Sequence, residues 1–259
     1  TGAVSAADLN TVNGLTTGVI TATGATTVTG TLAEIKTAYA AGSAGTISGL
    51  GNEAITVTDT GAITSTDLSD LDALTTGSVT ISLSGTSVAA TTLNTLDASS
   101  TQVVSASSVT TLTGAAADIN TAYASAGISG LGDEAVTLTD TSLTAATLNT
   151  LNGYTTGTVD TTTVTTVTGS VADANTMYAT AGLSGGGDEA VTITDTTIAA
   201  SALNTLDGNT TGTIDASSLT TITGTGTDAQ TAFDSAGISG LTFDASSYLA
   251  SNTDLLAAY

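Results

Sequence analysis

Apolar and polar residues follow two rhythms that take turns along this chain. Segments such as AVTLTD (Ala135–Asp140), AVTITD (Ala190–Asp195) and AITVTD (Ala54–Asp59) alternate large apolar residues with threonine, the pattern of a strand buried on one face. SVTTLTG (Ser108–Gly114) and SLTTITG (Ser218–Gly224) do so less strictly. Their β-branched side chains suit a pleated surface. Between them lie phrases such as SAADLNTVNG (Ser5–Gly14) and AAADINTAYA (Ala115–Ala124). Apolar residues there recur at i, i+3 or i+4, which predicts a short helix with one buried face.

The helical phrase repeats. Aligned on the residue after its Asp, or after what replaces that Asp, the copies fall at Leu9, Ile35, Leu68, Leu93, Ile119, Leu148, Ala174, Leu203 and Ala229. The steps are 26, 33, 25, 26, 29, 26, 29 and 26 residues, and the longest carries an insertion, AGSAGT, read as a surface loop. Two types of copy emerge. In the first, a large aliphatic residue stands three places on (Val12, Leu71, Leu96, Leu151, Leu206), followed by Asn or Asp. In the second, that place is usually small (Ala38, Ala122, Ala232, but Met177) and an aromatic follows: Tyr39, Tyr123, Tyr178 or Phe233. The types alternate, except that Leu68 and Leu93 both head first-type copies; a regular pair spans 55 residues. The Asn or Asp with its following Gly or Ala predicts a left-handed turn ending the first helix. The second helix is expected to run about one more turn, to Gly127, Gly182 or Gly237.

One such unit buries too little apolar surface to offset a backbone ordering cost of about 1–2 kcal/mol per residue. Stacked units share a core. The expected fold is therefore a right-handed β/α solenoid of about nine coils of 25–33 residues over residues 1–241, each with short parallel strands and a short helix. Residues 242–259 read as a tenth coil, with Leu255 26 residues after Ala229, or as the start of another module. No obvious polar cap closes the sequence. Open strand edges favour self-association, and head-to-tail contacts give filaments.

Composition narrows the chemistry. The 259 residues include no Cys, His, Pro or Trp; Lys36 is the sole basic residue against 23 acidic ones, for a net charge of −22. Disulfides and thiolate metal sites are excluded. Nucleic acid and anionic lipid are disfavoured as partners, because nothing neutralises phosphate. No apolar run approaches the roughly 20 residues of a membrane-spanning helix, so no membrane insertion is expected. No signal peptide is visible and residue 1 is Thr, so a processed product or part of a longer protein is expected.

An enzyme is not expected, since the usual base, thiol and cationic groups are missing. The acidic pairs Asp133–Glu134 and Asp188–Glu189 recur at one place in the repeat, with Asn52–Glu53 as a third version. Recurrence marks a structural position more than a catalytic one. No cofactor is required by the pattern, and calcium is the one it admits. Its candidate ligands are Asp133, Glu134, Asp188 and Glu189 in loops, with Asp140 and Asp195, and their counterpart Asp59, at strand ends. Neither an EF-hand loop nor the Gly-Gly-x-Gly-x-Asp nonapeptide is present. Asp8, Asp67, Asp118, Asp173 and Asp228 instead fall in first helical turns, where a negative charge favours the helix dipole. Thr-x-Thr segments admit an ice-binding face, or simply an exposed strand face. The aromatic positions read as core or rim packing. Asn10, Asn94, Asn120, Asn149, Asn175 and Asn204 form either a ladder between copies or a solvated helix face.

The phrases LNTLDG, TTGT, DASS, TTLTG and NTAYASAGISGLGDEAVTLTD resemble the repeat regions of very large secreted or cell-surface proteins of marine cyanobacteria, over residues 1 to about 241. The tail FDASSYLASNTDLLAAY is similar to a module of secreted proteins of the haemolysin-type calcium-binding group, although SNTDL lacks that module's Pro. The resemblance implies an extracellular or cell-surface protein without catalytic residues. The expected function is thus structural: a stalk, surface layer or filament. The alternative is an adhesin that binds calcium or surface polysaccharide through its repeats.

Overall fold

The structure, a computed structural model, describes residues 2–58, 65–82, 86–99 and 103–242. Asp59 and the proposed tenth copy at Leu255 lie outside the described residues. The fold is α/β, with short parallel strands in ladders alternating with short helices. Among the described residues the helices are α1 (Ala6–Leu15), α2 (Leu32–Ser43), α3 (Ser65–Asp72), α4 (Ala90–Ser99), α5 (Ala116–Ala124), α6 (Ala145–Tyr154), α7 (Val171–Ala179), α8 (Ala200–Asn209) and α9 (Gly226–Asp234). The chain divides into two compact units, one holding 1–139 and 151–160, the other 140–150 and 161–259.

In the first unit one parallel ladder runs through Gly2–Ser5, Ala25–Gly30, Ala54–Val57, Val79–Ser82, Val104–Ser105 and Ile128–Ser129. A second runs through Ser87–Ala89, Thr111–Gly114, Ala135–Leu138 and Val159–Asp160. In the second unit the main ladder is Ser142–Thr144, Thr166–Gly169, Ala190–Ile193, Ile214–Asp215 and Ile238–Ser239. Register places like on like. Val28, Ile55 and Val79 form one inward column, and Val57, Ile81, Val104 and Ile128 another. All seven are buried. The period-two reading of these segments holds.

The stacking interval differs from the interval between helices. Strand partners such as Thr111 and Ala135, or Thr166 and Ala190, are 24 residues apart, while helical anchors recur every 26 or 29. Strands in a ladder sit about 4.8 Å apart, whereas packed helices need 8–10 Å. The two layers therefore cannot advance together. In the second unit the ladder begins in front of α6 at Ser142–Thr144 and ends behind α9 at Ile238–Ser239. The ladder slides past the helices as it grows.

Two local expectations are corrected. Among the described residues no non-glycine has positive φ, and Gly14, Gly153 and Gly208 lie inside α1, α6 and α8 without it. Of these, α1 and α8 end by turning extended at Thr16 and Thr210, not through a left-handed turn. The second-type helices α5, α7 and α9 are also not longer, with 9 residues where α6 and α8 have 10, whereas α2 has 12 residues against 10 in α1. The three extra residues after the second type serve a further short strand and its loop.

First-turn acids stand where the spacing put them: Asp8, Asp67, Asp118, Asp173 and Asp228. Ser5, Ser170 and Thr225 cap α1, α7 and α9, and Thr31 with Glu34 forms a capping box on α2. The first-type asparagines make the ladder. The Nδ2 groups of Asn10, Asn94, Asn149 and Asn204 donate to the carbonyls of Glu34, Asp118, Asp173 and Asp228 in the next helix, at 2.9–3.0 Å. Lys36 occupies the same place in α2 and bridges to Asp67 (3.2 Å) and Asp70 (2.8 Å) of α3. Asn94→Ala should lower the stability of the first unit by about 1 kcal/mol. A urea melt reads this, and an unchanged midpoint would mean that the ladder carries no weight.

Candidate functional site

One cluster is built three times, at the loop after each of the helices that carry Tyr39, Tyr123 and Tyr178. The loop reads Gly-x-Glu: Gly51-Asn52-Glu53, Gly132-Asp133-Glu134 and Gly187-Asp188-Glu189. Its glycine has φ of 130°, 140° and 118°, a conformation that side chains disfavour. The turn folds the glutamate back over its own loop. Glu53, Glu134 and Glu189 are 2%, 1% and 1% exposed.

Each buried carboxyl accepts from a tyrosine hydroxyl. Tyr39 donates to Glu53 at 3.1 Å and Tyr178 to Glu189 at 3.0 Å, and Tyr123 donates to Glu134. The loop amides of Gly51, Gly132 and Gly187 donate to the same carboxyls at 2.7, 3.0 and 2.8 Å. The backbone at each glutamate is then clasped by a Thr-Thr-Gly turn of the next first-type copy. Thr75, Thr155 and Thr210 donate their hydroxyls to the carbonyls of Glu53, Glu134 and Glu189 at 2.6, 2.6 and 3.1 Å. Those hydroxyls accept from the amides of Gly77, Gly157 and Gly212 at 2.9–3.0 Å. The middle threonine amides, of Thr76, Thr156 and Thr211, donate to the loop glycine carbonyls at 2.7–2.9 Å. A Cβ on Gly77, Gly157 or Gly212 would stand 2.0–2.3 Å from the glutamate carbonyl oxygen. Only glycine fits there. The cluster is a joint between consecutive repeats.

The candidate calcium ligands do not converge. Glu134 and Glu189 are buried in joints, their carboxyls already accepting hydrogen bonds. Asp133 and Asp188 point out to solvent beside them. Asp195 accepts from the amide of Val171, the first residue of α7, at 2.7 Å, which makes it a cap supplied from the neighbouring repeat. Asp140 is half-buried. Among the described residues no group of three or more His, Cys, Asp or Glu side chains is placed to hold a metal ion.

The third joint opens onto a cavity of about 90 Å³ lined by Leu148, Thr161, Met177, Leu183, Gly186 and Glu189. The local cause is Gly186, which stands where Leu50 and Leu131 stand in the other copies. Without that side chain, Oε1 of Glu189 turns into its space, 2.6 Å from where a Cβ would lie.

Sequence reasoning placed the tyrosines in packing and missed their hydroxyl partners. It also missed Thr-Thr-Gly. The available signal was that the motif follows every Tyr–Glu copy, at 75–77, 155–157 and 210–212, yet is missing after Leu96, whose preceding copy has neither Tyr nor Glu. Phe233 likewise goes with Thr242-Phe243-Asp244 in place of Gly-Asp-Glu.

Burial, reinforced by the neighbouring carboxyl, pushes the hydroxyls of Tyr39, Tyr123 and Tyr178 well above the ordinary tyrosine range. A raised folded-state value favours the protonated form, so this stability is whole below about pH 10 and declines as the unfolded tyrosines ionise above it. Urea midpoints should fall between about pH 9 and 11. A Y39F/Y123F/Y178F chain should show a much shallower fall. Equal slopes for the two chains would sink the assignment.

No protein-family model, no curated protein and no solved structure matches this chain.

Proposed function

We propose that this protein is a structural repeat protein of the cell exterior, a right-handed solenoid whose stacked coils build a stalk, surface layer or filament. The observation that carries the reading is the joint. Its buried, charged-residue chemistry is spent on holding one repeat to the next, three times over, with its donors and acceptors facing one another. Composition supports it: with Lys36 as the sole Lys or Arg, an exposed matrix offers almost no trypsin-type cleavage site. The resemblance to cyanobacterial surface repeats supports an exterior location. In this reading no cofactor is needed, and catalysis has no part.

The net charge of −22 opposes side-by-side association at low salt. Near 1 M salt the Debye length is about 3 Å, so rods approach freely, and divalent ions bridge their acidic faces. Electron microscopy of purified protein tests the reading. Elongated particles, filaments or a lattice are expected, with bundling that grows with salt or calcium. Compact isotropic particles at all salt concentrations would overturn it. A melting temperature that rises steeply at millimolar calcium would move the assignment to the calcium-dependent adhesin.

A further inference from the structure

The first repeat carries half of a joint. Thr16-Thr17-Gly18 follows α1 as Thr155-Thr156-Gly157 follows α6, and the amide of Gly18 donates to the Thr16 hydroxyl at 3.0 Å, the same internal bond as in the three complete joints. What differs is the other half. Thr75, Thr155 and Thr210 are buried against a glutamate backbone, whereas Thr16, Thr17 and Gly18 are exposed. A Cβ on Gly18 would meet only its own Thr16 hydroxyl, at 3.4 Å, and Gly18 has no positive φ. Nothing local calls for glycine there. In the complete joints the glycine is demanded by the glutamate carbonyl lying against it.

Apolar exposure is concentrated at the same place. Val12 is 49% exposed while Leu71, Leu96, Leu151 and Leu206 at its position are buried; Leu15 and Val19 beside it are 82% and 64% exposed.

We infer that Val12, Leu15 and the Thr16–Val19 turn form an acceptor face for a second-type repeat that carries Tyr and Gly-x-Glu. The occupant is defined by the chemistry of the three complete joints. Its glutamate carbonyl takes the Thr16 hydroxyl, its loop glycine carbonyl takes the Thr17 amide, and its helix covers Val12. The last described second-type copy of this chain does not qualify, because it has Phe233 and no Gly-x-Glu. The face thus selects among repeats of one family. The inference rests on the stacking part of the reading above and is independent of location and of filament growth.

The test supplies the occupant in register. A duplicate of residues 104–139 is placed ahead of Thr1 in the full chain, so that Thr1 follows it as Asp140 follows Thr139. Gly18→Ala is then compared in the 259-residue and extended chains by thermal melting, with Gly157→Ala as the internal standard. In the 259-residue chain Gly18→Ala should leave the melting temperature unchanged. In the extended chain it should lower it as much as Gly157→Ala does, and the Thr17 amide should become slow to exchange with deuterium. The inference fails if Gly18→Ala is harmless in the extended chain while Gly157→Ala is not, whether or not the added repeat folds. It fails equally if Gly18→Ala is as damaging without the extension.

Discussion

Gly157→Ala should destabilise the first unit by about 3 kcal/mol, at the upper end of what one added methyl group does in a packed interior. The new Cβ would lie 2.3 Å from the carbonyl oxygen and 2.6 Å from the carbonyl carbon of Glu134. Those atoms are backbone, and the same backbone is pinned by the Thr155 hydroxyl at 2.6 Å and by the Thr156 amide bond to Gly132 at 2.8 Å. Relief therefore requires the two repeats to part, which breaks both bonds. Gly153→Ala, four residues earlier in α6, is the control. No atom lies within 4 Å of its Cβ position, and the helix should gain up to about 1 kcal/mol. Urea melts of both variants measure the contrast. Two small effects of like sign would show that the repeats are not held at Gly157.

Glu134→Leu should cost on the order of 3 kcal/mol. The carboxyl accepts from the Tyr123 hydroxyl and from the amides of Gly132 and Asp133, and each buried donor left without a partner costs about 1–3 kcal/mol. Part is recovered, because Tyr123 is half-buried beside Tyr154, with which it stacks at 5.1 Å, and its hydroxyl can turn toward water. Glu134→Gln keeps an acceptor oxygen and should cost about 1 kcal/mol. The pair Tyr123→Phe and Glu134→Leu, taken singly and together, forms a cycle. Coupling is expected, with the double variant losing less than the sum, since each change orphans the other's partner. Strict additivity would mean that the hydroxyl and the carboxyl do not depend on one another. The chain itself hints at the outcome, because the copy with Phe233 has dropped the Gly-x-Glu as well.

Much of this architecture is legible in the residues. Val136 and Leu138 alternate with Thr137 and stand in a parallel strand with the aliphatic pair buried. Leu93, Leu148 and Leu203 mark the buried face of α4, α6 and α8. The first-turn acids and the Asn positions were visible as patterns. Whether the asparagines faced water or the next helix was not, because an amide side chain on a helix surface serves either purpose. The glutamates were visible as recurrent and were assigned a possible metal. A carboxyl in a glycine-rich loop looks the same whether it awaits a cation or a tyrosine hydroxyl. The deciding partner lies 11 or 14 residues back in the chain.

The stacking interval was hidden for another reason. Repeats were counted on helices, the better-marked element, and helices set 26 and 29 residues as the step. Ladders obey hydrogen-bond spacing, and most of their steps are 23 or 24 residues, with 27 across the insertion between Val28 and Ile55.

What the amino-acid order determined alone is the local grammar. It set which stretches alternate, which wind into helices, where acids fall in the first helical turns, and that no single unit can stand without its neighbours. Tertiary structure decided which atoms of one repeat meet which atoms of the next: the Thr-Thr-Gly clasp on the glutamate backbone, the tyrosine above the carboxyl, the drift of ladder past helix. Local periodicity is written in one residue type after another. Contact between repeats depends on two spacings, of strands and of helices, that no single window of the chain contains.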